Sequence, residues 1–379
     1  PAYEKAIQEH DIQARAIIDD FVTTTPNPPG SDTLSWSKAY TNLAAALDDY
    51  TANIHANLNL TVHPTKLELL IPPNAPHPDT NTFPDGCTIT AEGIKVGGGP
   101  VGSQSYVDQF LKSKRAACHN LVDQMAEFGD QPFVGLGLLQ KALAKPKHTL
   151  SLIPPNQTRS FAKEVDEEVW DALQKLMAAS DKNVQVPISS ERMARAKHIA
   201  SLPEKMNGLG LPSMQKLAPI AYLSSLLSCC VVDEELANLV CENQPDVTGD
   251  LIAARDEVQQ MIDDPRLPIK IGNEIYSLLI AKEDGEPDVA ADLIENLRKV
   301  YDAMECEQEN EEDQDERKEK TTLKLQRRMT QAMNDKSIRS LALNFVSNQD
   351  KAGSDLSRAD IIAVAQMIKS DRNLFFRVD

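Results

Sequence analysis

The chain has 379 residues, with 39 Lys+Arg against 57 Asp+Glu, a formal charge of −18 and 41% hydrophobic residues. This is ordinary globular composition at a length suited to two or three domains, and the negative balance excludes a uniformly basic nucleic-acid binder. The longest apolar run, residues 217–232, is broken by Pro219 and Ser224-Ser225; a bilayer needs about 20 apolar residues, so no membrane is expected.

In chain order, residues 1–9 read as the end of a helix. Residues 12–18 alternate and end apolar, as a strand does. Asp19-Asp20 mark a turn, and the β-branched stretch 21–25 is a second strand, stopped by Pro26-Asn-Pro-Pro-Gly30. Leu43, Leu47, Tyr50 and Ile54 at helical spacing predict a helix over 35–56. A strand follows at 66–71, then a Pro/Asn-rich loop at 72–84. Residues 87–90 and 93–96 look like a hairpin, and Gly97-Gly-Gly-Pro100 breaks the chain. Beyond it nearly everything reads as helix: 104–128, 134–144, 158–180, 189–202, 213–228, 233–241, 248–264, 270–282, 286–305, 317–347 and 357–371. The expected class is α+β, a small antiparallel sheet with one packed helix followed by a largely α-helical remainder.

Charge is uneven along the chain. Residues 221–316 hold 26 acidic and 6 basic groups, whereas 317–379 hold 7 and 13. The densest acidic run, 305–316, reads as a solvated linker. The alternative is a docking surface for a basic protein partner. Cys87, Cys118, Cys229, Cys230, Cys241 and Cys306 show no C-x-x-C spacing and no histidines gathered beside them. Neither a zinc site nor a disulfide framework is expected, and an intracellular chain, in nucleus or cytoplasm, is the plainer reading.

Ala16-Ile17-Ile18-Asp19-Asp20-Phe21-Val22 resembles the paired-aspartate palm hairpin of reverse transcriptases. The segments after it keep that family's order. Leu58-Asn-Leu-Thr-Val-His-Pro-Thr-Lys66-Leu-Glu-Leu-Leu is similar to the turn and lysine before a palm strand. Gly93-Ile-Lys-Val-Gly-Gly-Gly-Pro-Val-Gly102 looks like the primer-grip hairpin. Residues 194–225, with Asn207-Gly-Leu-Gly-Leu-Pro-Ser213, resemble the region beyond the thumb in non-LTR (LINE-like) retroelement proteins. The likeness covers roughly residues 1–230, more weakly 323–346. It departs at Gly97, where the family usually has Leu, and at Ile17, where an aromatic is commonest.

The resemblance implies a retrotransposon RNA-directed DNA polymerase, a nucleotidyltransferase working through Mg²⁺ (or Mn²⁺), on an RNA template and a DNA primer. The fingers, the first palm carboxylate and the template-contact motif would precede Pro1. This chain would then be a palm and thumb fragment, inactive without that N-terminal half, and no cofactor is certain for it alone. The implied division is a partial palm at 1–102, thumb and connection helices at 103–230, an acidic helical region at 231–304, the linker at 305–316 and a basic segment at 317–379. Asp19 and Asp20 would be metal ligands, since Mg²⁺ takes oxygen donors, and Lys66 the acid toward pyrophosphate. Gly98, Gly99, Pro100 and Gly102 would let backbone approach the primer, and Lys112, Lys114 and Arg115 would meet phosphates. Each also has a plainer reading: a solvated turn for the aspartates, a surface lysine, a flexible glycine turn, a solvated helix face. The alternative to the polymerase is a degenerate relic or a repurposed helical interaction protein with an acidic docking segment.

Overall fold

The computed structural model describes residues 13–17, 20–24, 33–59, 61–79, 81–180, 190–232, 234–241, 245–262, 293–296 and 325–338. The protein is α+β and mostly helical, and it divides into two compact units, Pro1–Lys112 and Ser113–Asp379. The expected helices at 270–282 and 357–371, most of those at 286–305 and 317–347, and the acidic run 305–316 lie outside the described residues.

In the first unit β1 (Gln13–Ile17) pairs antiparallel with β2 (Asp20–Thr24), with Ile17 opposite Asp20. Helix α1 (Thr33–Leu58) buries Tyr40 and Leu43 against Ile71 and Phe83, with Leu69 and Ile89 packed alongside. The Tyr40 hydroxyl donates to the Pro76 carbonyl at 2.8 Å, fixing the proline-rich loop to the helix. A 3-10 turn, Pro64–Lys66, leads into β3 (Glu68–Leu70). Then come β4 (Thr88–Thr90), β5 (Gly93–Val96) and β6 (Gly99–Gly102).

Among the described residues the strands do not merge into the small antiparallel sheet expected from the sequence. They form three two-stranded ladders, β1–β2, β3–β4 and β5–β6, and β3–β4 is parallel. The loop over 71–87 makes this possible, because a parallel pair needs a crossover of about a dozen residues or more. Nor do 87–90 and 93–96 form a hairpin. The Glu92 N–H donates to Thr90 Oγ1 at 3.0 Å, a local turn that competes with strand pairing. Gly97 and Gly98, at φ 55° and 85°, supply the two left-handed residues of a tight hairpin turn, so β5 pairs with β6 instead.

Helix α2 (Gln104–Ala126) spans the boundary between the units. In the second unit follow α3 (Pro132–Ala142), α4 (Ala144–Leu152), α5 (Pro155–Ser180), α6 (Ser190–Ser201), α7 (Met214–Val232), α8 (Glu234–Cys241) and α9 (Pro245–Ile262). The separate helix α4 is not foreseen in the sequence. Its Pro146 is tolerated because it sits in the first turn, where N–H groups need no intrahelical partner. The core centres on α7. Ile220, Leu223, Leu227 and Cys230 pack with Leu251, Ala254 and Val258 of α9 and with Leu325, Met329 and Met333 of the helical stretch 325–338. The buried positions recur every three or four residues, as one helix face requires.

Candidate functional site

The sequence-predicted residues fall in several places. Asp20 opens β2, while Asp19 lies outside the described residues. Lys66 ends the 3-10 turn, two residues before β3, and is exposed. Gly98 sits in the β5–β6 turn, Gly99 and Pro100 pair with Val96 and Lys95, and Gly102 faces Gly93. Those two glycines have a packing reason of their own. A Cβ on Gly93 would run into the Tyr106 ring of α2, and one on Gly102 would strike the backbone of Glu92 and Gly93. The hairpin is therefore closed under the first turn of α2, with the Ser103 N–H donating to the Glu92 carbonyl at 2.7 Å.

Lys112 is exposed and Lys114 half-buried on α2. Arg115 is engaged within the protein, with Nη1 2.6 Å from Glu164 Oε2 and Nε 3.3 Å from Glu168 Oε1. Among the described residues no group of three or more His, Cys, Asp or Glu could hold a metal ion. Asp19 and Asp20, adjacent in sequence, are hard oxygen donors of the kind Mg²⁺ prefers, so their donor chemistry fits that ion. The Asp hairpin and the Gly hairpin belong to separate ladders.

The second unit contains a cleft of about 380 Å³ walled by α5, α6 and the segment entering α7. It is built around Asp166 of α5, whose carboxylate accepts the Ser213 hydroxyl at 2.6 Å and the Met214 and Gln215 N–H groups at 2.5 and 3.2 Å. Asp166 and Ser213 thereby cap α7, satisfying N–H groups that have no partner inside the helix. Burial pushes the Asp166 carboxyl up from its ordinary value, against the pull of these hydrogen bonds.

Beside it, the Lys216 ammonium is half-buried and held below the usual lysine range by desolvation, with Asp166 opposing. Desolvation and the Lys216 charge push His198 down to about 4, so the imidazole is neutral at pH 7. Its Nε2 is buried with no hydrogen-bond partner. Lys197 lies 5.2 Å from the centroid of the Trp170 ring, within cation–π range. Sequence reasoning missed this cluster. Ser213 just ahead of an apolar helical run is a cap signal, but nothing local points to Asp166, 47 residues upstream. No family model matches the chain, and neither does any curated protein or solved structure.

Proposed function

We propose that the chain carries palm and thumb elements of a retroelement-type RNA-directed DNA polymerase. The observation that supports this is the antiparallel β1–β2 pairing, with Ile17 opposite Asp20, on either side of the sequence Ile18-Asp19. A hairpin turned by Gly97-Gly98 and a 23-residue helix follow in the order that the resemblance implies.

In this reading Asp19 and Asp20 would hold Mg²⁺ or Mn²⁺, which when bound would help ionise the primer 3′-hydroxyl and offset charge on the triphosphate. The short aspartate stems restrict where the carboxylates can go. The exposed end of the β5–β6 hairpin, at Val101 and Gly102, would meet the primer end, and the exposed Lys66 would give a proton to pyrophosphate. A further carboxylate, supplied from elsewhere, completes the site. The second reading, a repurposed helical interaction protein, draws on Arg115, whose guanidinium is spent on Glu164 and Glu168 instead of being left for phosphates.

Photocrosslinking separates the two. A primer ending in 4-thiothymidine, annealed to an RNA template, should crosslink to residues 93–102 of the full chain. Crosslinking confined to the lysine-bearing helices, or none above a primer lacking the template, would count against the polymerase.

A further inference from the structure

We infer that the cleft of the second unit binds a small organic anion, with its apolar body against Trp170, Leu173 and Leu211 and its charged end between Lys197 and Lys216. The inference goes beyond the polymerase reading and uses none of its residues. A volume of about 380 Å³ lies within the roughly 300–1,000 Å³ of small-molecule sites. The lining has the matching character, apolar side chains with several charged and polar ones among them.

Charge balance decides the sign of the ligand. Of the two carboxylates lining the cleft, Asp166 is already occupied with Ser213, Met214 and Gln215. Glu167 lies 3.9 Å from Lys163. Among the described residues no carboxylate comes within ion-pairing distance of Lys197 or Lys216. Lys197 rests on the Trp170 face, and Lys216 is partly stripped of water. A desolvated ammonium is costly unless an anion or dense hydrogen bonding compensates it. A ligand carrying phosphate or carboxylate supplies that compensation. His198, on the same wall, contributes a buried nitrogen without a partner, a feature rare enough to need a reason. The capped start of α7 is not part of the recognition, since Asp166 and Ser213 have taken its N–H groups.

The test uses the full chain with Trp36→Phe, which leaves Trp170 as its one tryptophan. Phenyl phosphate should give a saturable change in Trp170 fluorescence, with phenol and inorganic phosphate each weaker by about tenfold or more, since each lacks one half of the recognition. Lys216→Met and Lys197→Gln should each weaken phenyl phosphate about tenfold, the size of a lost charge-assisted contact. If Lys216→Met lowers the helical circular dichroism, the rim variant Lys197→Gln decides alone. Phenol or inorganic phosphate binding as tightly as phenyl phosphate would overturn the inference. So would the absence of a saturable change, or binding unaffected by Lys197→Gln.

Discussion

Asp166 of α5 accepts the Ser213 hydroxyl at 2.6 Å, so one helix supplies part of the N-terminal cap of another. The same carboxylate takes two backbone N–H groups of α7, the helix at the centre of the core. Asp166→Ala therefore strands three donors at once. It should cost about 2–3 kcal/mol of stability, against about 1 kcal/mol for Ser213→Ala. Urea unfolding of the two variants is the check, and equal losses would mean that Asp166 does not act as a cap.

His198 makes stability depend on pH. Its folded pKa, about 4, lies below the ordinary histidine value of 6.5. Between those values the unfolded chain binds a proton that the folded chain refuses, so stability falls as pH drops from 6.5 toward 4. The causes are the burial around the ring first and then the Lys216 ammonium of α7, whose own charge Asp166 of α5 favours. For a half-buried, partly screened site the effect is on the order of 1–2 kcal/mol. In urea titrations at pH 7 and pH 4.5, His198→Gln should lose less stability on acidification than the parent.

The β5–β6 hairpin leaves no space at Gly93, where an added Cβ would enter the Tyr106 ring. Gly93→Ala should destabilise the first unit by about 1–3 kcal/mol. In combination with Tyr106→Ala the penalty should shrink, because the clash partner is gone and neighbouring substitutions couple. Additive losses in a double-mutant cycle would place the strain elsewhere.

Local chemistry made part of this fold legible. The alternation around Asp19-Asp20 and the spacing of Leu43 and Leu47 locate β1, β2 and α1, since period 2 and period 3.6 are written in consecutive residues. Gly97-Gly98 mark a tight turn for the same reason, because only glycine takes both left-handed positions readily. The parallel β3–β4 pair was not legible, as nothing in either strand names a partner across 71–87. Nor was the pairing of Arg115 with Glu164 and Glu168, or of Asp166 with Ser213, since both join residues about fifty apart in sequence. The cleft rests on such pairings, so sequence patterns led to the Asp hairpin and passed over His198 and Lys216.

Arg115 offers a choice between two roles. As a phosphate contact, its removal would weaken primer binding uniformly and lower the salt slope by about one. As the partner of Glu164 and Glu168 it holds α2 to α5. The structure favours the second role, so Arg115→Met should lower the thermal midpoint and leave primer affinity and its salt dependence unchanged. Exposed pairs contribute little each, but here one guanidinium serves two carboxylates and a Glu168 oxygen is already buried without a partner. A loss of about 1 kcal/mol is expected. Fluorescence anisotropy of a labelled primer–template at several salt concentrations, beside a melting curve, distinguishes the outcomes.

The last prediction concerns catalysis by the chain alone. Two-metal nucleotidyl transfer needs both ions about 3.5–4 Å apart, clamped between carboxylates and the triphosphate. Asp19 and Asp20 are adjacent in sequence, and the further carboxylate that the resemblance calls for would precede Pro1. Two carboxylates can attract one hard cation, but a second ion must then be held against its repulsion without a bridging ligand. The 379-residue chain should accordingly give no measurable primer extension with Mg²⁺ or Mn²⁺, while a primer end should still crosslink to the β5–β6 hairpin. Extension that is present in the parent and lost in Asp19→Ala would show that a third ligand comes from within the chain. Asp11 and Glu68 are the residues to replace next: Asp11 lies two residues before β1, and Glu68 opens β3 with its side chain exposed. Extension that survives Asp19→Ala and Asp20→Ala together would remove the Asp hairpin from the mechanism altogether.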